Sequence, residues 1–393
     1  MPPKDFRVAA AWNFIVILGV VSLFSDMTYE GARSISGPFL GDLQAGAIVV
    51  GVVAGLGEFL GYALRLVSGY VTDRLGRYWP ITFVGYSLNL FAVPLLALAG
   101  SWEAAALLLL LERLGKAIRT PARDAMLSHA AAEVGRGWGF GFHEAMDQIG
   151  AVAGPLIVAA VLYFQGGYRA GFATLLAPAL LALLVIIIAA RLYPHPQHLE
   201  VATPKLETRG LSRPYWLYVA AAGLIGAGYA DFPLIAYHFA KVEVAPANWI
   251  PIFYATAMGV DAVAALIFGR LFDRLGMPVL IAAPLLSALF APLVFLGDFS
   301  WALAGMVLWG IGMGAQESIM KAALADMVPK DRRATGYGIF QGGFGLFWFL
   351  GSALMGFLYE VSLGWLIAFS VIMQLGSIPI FFLVSRELCL VRR

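Results

Sequence analysis

Runs of about 20 apolar residues recur along this chain, and they constrain its fold more than any other feature. A run of that length spans the hydrocarbon core of a bilayer as a helix, and lipid excludes any backbone that is not hydrogen-bonded within the protein. The sequence therefore predicts an all-α membrane protein with twelve transmembrane helices. The predicted spans are residues 12–36, 45–70, 80–100, 103–128, 138–164, 168–190, 215–239, 248–270, 278–297, 300–325, 335–359 and 365–384.

Composition supports lipid as the solvent and excludes several classes of protein. Only 13% of the 393 residues are charged, against roughly 25% in a soluble domain. The net charge of +2 gives no field suited to nucleic acid, and the single cysteine, Cys389, allows no disulfide or thiolate metal site within the chain. No H-E-x-x-H, no phosphate-binding loop and no nucleophile with a base are found. We therefore expect no enzyme, cofactor or metal site.

The stretch between residues 191 and 213 is the one long polar interruption, and it contains three prolines. It predicts a six-helix bundle at 1–191, a cytoplasmic linker at 192–213 and a second six-helix bundle at 214–393. Nearly all loop lysines and arginines fall in alternate loops, and the opposite loops hold only Arg169 and Lys241. By the positive-inside rule, both termini should be cytoplasmic, in a multi-pass protein of the cell's inner membrane.

A loop motif repeats in the two halves. Residues 69–76 and 269–276 share the pattern G-x-x-x-D-R-L-G, and each copy follows the second helix of its half. A second echo pairs Arg136-Gly-Trp-Gly-Phe-Gly with Arg333-Ala-Thr-Gly-Tyr-Gly. Two echoes in register indicate parallel internal repeats, an architecture used by transporters.

The first copy resembles motif A of the major facilitator superfamily, G-x-x-x-D-R-x-G-R-[KR], and departs from it only at Tyr78. The second copy has Met277 where the motif has its last arginine. This resemblance implies two six-helix bundles related by a pseudo-twofold axis, transport by alternating access, and a loop that latches one conformation. The implied latch residues are Gly69, Asp73, Arg74, Gly76, Arg77, Asp273 and Arg274.

Gly150, Gly154 and Pro155 in the fifth span resemble motif C, which the family associates with antiporters. Val158 and Ala159 replace the trailing glycines of that motif. Ordinary tight helix packing is the alternative explanation. Arg113 stands where motif B has its arginine, although Ala117 lies near the place of the glycine that follows it there. Residues 112–124 and 143–147 resemble a bacterial and archaeal, drug-efflux-like subgroup.

Ionisable residues inside spans are expensive and are usually paired or functional. In the first span, Asp26, Glu30 and Arg33 share one stripe, and Arg33 can pair with Glu30, which leaves Asp26 without a local partner. Such a carboxylate suits proton coupling. Solvation at the outer mouth is the alternative. The proton-coupling candidates are Asp26, Glu30, His143, Glu144 and Asp147.

The fourth span carries a basic stripe of Lys116, Arg119 and Arg123 with one acid, Glu112. It either attracts an anionic solute or forms a buried ion-pair network with acids of the fifth span. In the C-terminal half, Asp231 and His238 are seven apart on one predicted helix face, and Glu317 is spaced to pair with Lys321. The substrate or charge-network candidates are Arg33, Arg113, Lys116, Arg119, Arg123, Asp231, Glu317, Gln341 and Phe344.

These features predict a secondary active transporter, with proton-coupled efflux (antiport) of amphipathic compounds as its activity. A proton-coupled symporter or exchanger of a small organic anion is the alternative, because of the basic stripe. The expected partners are a small-molecule substrate, protons and the lipid bilayer, and the expected state is a monomer that binds no nucleic acid.

Overall fold

The computed structural model describes residues 4–75, 77–134, 136–194, 212–327 and 333–391. Regular structure in these ranges consists of fifteen α-helices and one short 3-10 helix, Leu96–Leu98. The α-helices are Lys4–Asp42 (α1), Ala47–Leu75 (α2), Tyr78–Leu95 (α3), Trp102–Val134 (α4), Arg136–Tyr163 (α5), Gly167–Thr174 (α6), Leu176–Leu192 (α7), Arg213–Gly228 (α8), Phe232–Lys241 (α9), Trp249–Leu275 (α10), Pro278–Ser287 (α11), Phe290–Leu296 (α12), Phe299–Met327 (α13), Arg333–Val361 (α14) and Leu363–Val391 (α15).

The helices of the described ranges form twelve long segments, because α6–α7, α8–α9 and α11–α12 are each one interrupted segment. Ten segments are long and apolar enough to cross a membrane. The two others, α4 (33 residues) and α13 (29 residues), are also long enough to cross, and α4 is the more polar of the two. The prediction of an all-α protein with twelve membrane helices is confirmed.

Each of the three interruptions lies four residues before a proline. Pro178, Pro233 and Pro292 follow breaks near Thr174, Tyr229 and Ala288. A proline lacks the N–H that would bond the carbonyl four residues earlier, and its ring clashes with that carbonyl. The sequence prediction of continuous spans missed these breaks. Proline alone does not explain them, since Pro121 and Pro155 lie inside unbroken helices.

Backbone contacts divide the chain into two compact units. Unit 1 comprises Met1–Ile35 and Leu60–Pro204, and unit 2 comprises Ser36–Phe59 and Lys205–Arg393. The last turns of α1 and the first half of α2 therefore group with the C-terminal helices. Most of the predicted linker, residues 195–211, falls outside the described residues.

Unit 1 is held together by close contact between α3 and α4. A methyl group added at Gly85 would lie 2.6 Å from the backbone nitrogen of Arg119, and one at Gly115 would lie 2.4 Å from that of Asn89. Any larger residue would force the two helices apart, as is typical of small residues at membrane helix interfaces. This contact fixes the position of Arg119 and its neighbours on α4.

Unit 2 is built around the interrupted segment α8–α9. Its break is held by side chains of other helices: Ser370 Oγ donates to the carbonyl of Gly228 at 2.6 Å, and Trp309 Nε1 donates to that of Ala230 at 3.0 Å. Gln374 Nε2 adds a longer bond to Gly228, at 3.4 Å. The carbonyls freed by the break are thus satisfied inside the protein, as a lipid environment requires.

Candidate functional site

The first helix presents a buried polar face in unit 1. Ser22, Ser25 and Asp26 are buried, and Asp26 is only 8% exposed. Polar side chains buried within a membrane span face the protein interior and not lipid, so this face of α1 indicates a polar interior within the unit. Glu30 is also buried and Arg33 is half-buried, and both take part in further interactions.

Arg119 of α4 lies opposite this face. Its Nη2 is 3.9 Å from Asp26 Oδ1, and its guanidinium lies over the Tyr86 ring at 4.3 Å. The side chain is 1% exposed, and its Nε and Nη1 have no hydrogen-bond partner among the described residues. Asp26 therefore has a long-range partner in place of the local one that it lacks. The guanidinium keeps two unused donors in a buried position, which is costly unless an acceptor fills them.

Tyr29 lies between two further cations of α4. The ammonium of Lys116 is 3.7 Å from the centre of the Tyr29 ring, and the Arg113 guanidinium is 5.7 Å from it. Arg113 Nε also lies 3.3 Å from Glu112 Oε2, while Asn89 Nδ2 donates to Glu112 Oε1 at 2.7 Å. An acid of the same helix thus partly neutralises Arg113, and an aromatic face stabilises Lys116.

Arg123 belongs to a second, better compensated cluster. It contacts Asp124 at 2.8 Å and Asp147 Oδ2 at 3.9 Å, and its Nη1 donates to Ser22 Oγ at 3.2 Å. This hydroxyl is also 2.8 Å from His143 Nε2, and His143 Nδ1 is 3.5 Å from Asp147 Oδ2. One hydroxyl thus joins Arg123 to His143, and the imidazole in turn joins that hydroxyl to Asp147.

The structure therefore brings together most of the charged residues that the sequence singled out in the N-terminal half. Asp26 meets Arg119, and His143 and Asp147 meet Arg123. Glu144, by contrast, is exposed. Sequence reasoning missed Ser22, Tyr29 and Tyr86, because neutral side chains give no signal until helix rotation is known.

The glycines of the fifth span contact the helix that carries Asp26. A methyl group at Gly150 would collide with the carbonyl oxygen of Leu23, and one at Gly154 with that of Met27. Pro155 is buried one residue further along. These two glycines pack α5 tightly against α1 on either side of Asp26.

The two repeated loops lie at helix ends. Arg74 is in the last turn of α2, Arg77 precedes α3, and both are exposed. A methyl group added at Gly69 would lie 3.6 Å from the side chain of Pro121 in α4. Gly76 and the side chain of Asp73 fall outside what the structure describes. In the second copy, Asp273 and Arg274 are exposed, and Gly276 ends α10 with a φ of +67°. This left-handed conformation explains the last glycine of the motif.

In unit 2, Asp231 lies at the break between α8 and α9. Its backbone is extended, it is 2% exposed, and its Oδ2 accepts a hydrogen bond from Trp348 Nε1 at 3.3 Å. The predicted common helix face of Asp231 and His238 is therefore wrong, since α9 begins only at Phe232. His238 is 2% exposed, with Nδ1 3.0 Å from Tyr359 Oη.

The other candidates of unit 2 are dispersed. Phe344 is buried and stacks on Phe340, with ring centres 5.9 Å apart, and it also contacts Trp348 at 5.6 Å. Gln341 is half-buried on the same helix, and Glu317 is exposed. The side chain of Lys321, the predicted partner of Glu317, is not among those described.

Comparison with known proteins gives a consistent match to one family. The family model of the Major Facilitator Superfamily matches residues 15–314 and 232–387. An uncharacterized protein of Mycobacterium tuberculosis is 40% identical over 382 residues, which cover 95% of this chain and 93% of that protein. An uncharacterized MFS-type transporter of Methanocaldococcus jannaschii is 28% identical over 368 residues, which cover 88% and 89% of the two chains.

Solved structures show the same fold at low sequence identity. The nucleoside transporter NupG superimposes with a TM-score of 0.76 at 14% identity, covering 94% of this chain and 100% of that one. A bacterial homolog of the human lysosomal transporter Spinster gives a TM-score of 0.74 at 15% identity, covering 96% and 97%. At such identity the likeness concerns the fold alone.

Proposed function

This chain belongs to the major facilitator superfamily, and on that premise we propose that it is a proton-coupled carrier whose solute bears an acidic group on an apolar body. The family makes it a secondary transporter rather than an enzyme. The observation that carries the finer proposal is Arg119, a buried guanidinium that has one distant carboxylate and two donor nitrogens without a partner in the part of the chain that the structure describes. A planar guanidinium with free donors is the preferred protein ligand for a carboxylate, sulfonate or phosphate.

In this mechanism, Asp26 and the solute exchange places as the counter-ion of Arg119. When Asp26 is ionised, it neutralises Arg119. When Asp26 takes up a proton, it becomes neutral, and Arg119 is left as a buried cation that the anionic group of the solute can bind. Proton and anion therefore bind together, each raises the affinity for the other, and they move in the same direction.

The remaining basic residues have supporting roles. Lys116 and Arg113 keep the surroundings of Arg119 positive without competing with it for the solute anion, because Tyr29 and Glu112 hold them. Arg123 is the structural member of the stripe, since Asp124 and Asp147 already compensate it. The loops at Arg74 and Arg274 would latch one conformation of the transport cycle. They would lie on the cytoplasmic side, as would both termini.

The test uses two probes of the same size and opposite permanent charge, naphthalenesulfonate and naphthyltrimethylammonium. Binding to purified protein is measured by calorimetry over a range of pH. We expect the sulfonate to bind more tightly, and its affinity to fall about tenfold per unit of rising pH where one proton accompanies each anion. No binding of either probe, or an anion affinity independent of pH, contradicts the proposal.

Proton-coupled efflux of amphipathic compounds by antiport is the second candidate. The contact of Gly150 and Gly154 with α1 favours it, because the antiporter-like motif packs directly beside Asp26. A cation would then compete with the proton for Asp26. In the same calorimetric series, antiport predicts that the ammonium probe binds more tightly and that its affinity rises with pH.

A further inference from the structure

A long apolar groove runs along α3 on the surface of unit 1, bordered by α4 and, in its smaller cavity, also by α2. It consists of two cavities of about 440 Å³ and 510 Å³ that share Val84. We call it the α3 groove. The smaller cavity is lined by Leu64, Val67, Ser68, Val71, Pro80, Ile81, Val84, Leu114 and Ile118. The larger continues along α3 to Leu95.

The lining of the α3 groove suits a hydrocarbon chain and no polar ligand. Val67 is 59% and Val84 is 60% exposed, as expected of side chains that face lipid. Ser68 is the one polar residue of the smaller cavity, and its hydroxyl already donates to the carbonyl of Ala117 at 2.7 Å. The cavity volume falls in the usual range for small-molecule sites, roughly 300–1,000 Å³.

Two exposed arginines lie near one end of the groove. Val67 and Arg74 are seven residues apart on α2 and share a helix face, and Arg77 lies three residues before Pro80, which lines the cavity. Tyr70 is also exposed there, and its hydroxyl accepts a hydrogen bond from Arg74 Nη1 at 3.4 Å. An exposed tyrosine beside arginines is typical of the level of the lipid headgroups.

We propose that the α3 groove is a binding site for an anionic phospholipid of the bilayer. One acyl chain fills the smaller cavity, and the phosphate lies between Arg74 and Arg77. These residues belong to the basic loops that the sequence assigns to the cytoplasmic side, where the leaflet is rich in anionic lipid. Charge complementarity selects this occupant over a zwitterionic lipid.

Occupancy of the groove bears on the charge network without touching it. Leu114 and Ile118 line the cavity from α4, the helix whose other residues include Lys116 and Arg119. A chain packed against these two residues fills the space between α2, α3 and α4. The bound lipid therefore stabilises the packing of the helix that positions Arg119.

The test measures lipid selectivity on the full-length, delipidated protein, and needs no transport activity. Thermal unfolding is followed after adding phosphatidylglycerol or phosphatidylcholine, and retained lipid is counted by native mass spectrometry. We expect phosphatidylglycerol to raise the midpoint by on the order of a few degrees more than phosphatidylcholine. The double variant Arg74→Gln/Arg77→Gln should lose this difference, and Val84→Trp, which fills the cavity, should lose the retained lipid.

Two matched variants separate a site from general solvation. Leu184→Trp introduces the same side chain at an exposed position of α7 outside the groove, and Arg191→Gln removes an exposed charge at the end of that helix. Both should behave like the wild type. Equal effects of the two lipids on the wild type would overturn the proposal, as would losses in the control variants equal to those in the groove variants.

Discussion

At the scale of single residues, the pair formed by Asp26 and Arg119 decides the chemistry of unit 1. At 3.9 Å the two groups attract each other but leave most donors of the guanidinium unused. A buried pair this loose gains little over its desolvation cost, so it is weak evidence for a stabilising role. A pair this loose separates easily, and a site that exchanges one counter-ion for another requires such separation.

Replacement of Asp26 by asparagine should imitate the protonated state. We expect Asp26→Asn to bind naphthalenesulfonate with high affinity at every pH, which removes the roughly tenfold change per pH unit expected of the wild type. The measurement is the same calorimetric series. Asp124→Asn is the control, since it also removes a carboxylate from an arginine of α4, at 2.8 Å, but should leave the pH dependence intact.

A wild-type pH dependence in the Asp26→Asn variant would remove Asp26 from the coupling. Loss of the dependence in Asp124→Asn as well would indicate that the whole stripe titrates as one network.

The sequence identified Asp26, Arg119, Arg123, His143 and Asp147, and it raised a pairing of the basic stripe with acids of the fifth span, but it did not place Arg119 opposite Asp26. Spacing fixes which residues share a face of one helix, but the rotation of one helix against another depends on packing along its whole length. The partner of Asp26 is 93 positions away in the sequence, and no local rule connects the two. Asp231 was misplaced for the same reason, because the break beside it is maintained by Ser370 and Trp309 of distant helices.

At the scale of helices, the crossing of α1 and α5 controls where Asp26 lies. Gly154→Val should destabilise the protein by about 1–3 kcal/mol or more, because its side chain would collide with the backbone of Met27. Gly141→Val is the matched control, since it puts valine on the same helix where nothing lies within 4 Å. Thermal unfolding in detergent compares the two. Equal losses of stability in the two variants would mean that the effect comes from the helix propensity of valine and not from the crossing of α1 and α5.

The interrupted segment α8–α9 depends on donors from α15. The double variant Ser370→Ala/Gln374→Leu removes two donors from the carbonyl of Gly228 and the acceptor of Ser287 Oγ, and it should cost about 1–3 kcal/mol, since these buried groups would lose their partners. Gln316→Leu is the control: its amide donates to a carbonyl within its own helix, so its loss should be nearly neutral. Chemical denaturation measures both, and a neutral double variant would show that the break stands without these bonds.

At the scale of the whole molecule, the order of membrane helices was predictable because lipid imposes length and polarity on every span. The repeated loops were predictable because their sequence pattern reflects a local need of the backbone. Gly276, for example, ends α10 with a positive φ, a conformation that favours glycine. The grouping of Ser36–Phe59 with the C-terminal helices could not be predicted, since it depends on contacts such as that of Gly37 with Pro233. Loop charge and chain order carry no information about those contacts.

The most direct test of coupled anion transport uses purified protein in liposomes with an imposed pH gradient. Naphthalenesulfonate is the transported probe, because its permanent charge keeps it from crossing lipid unaided. We predict that it accumulates in the more alkaline compartment, towards which protons flow, and that the neutral pair Asp26→Asn/Arg119→Gln abolishes this accumulation. Movement of the probe against the proton flow, or a transport rate that is independent of the pH gradient, would contradict the exchange of Asp26 and solute at Arg119.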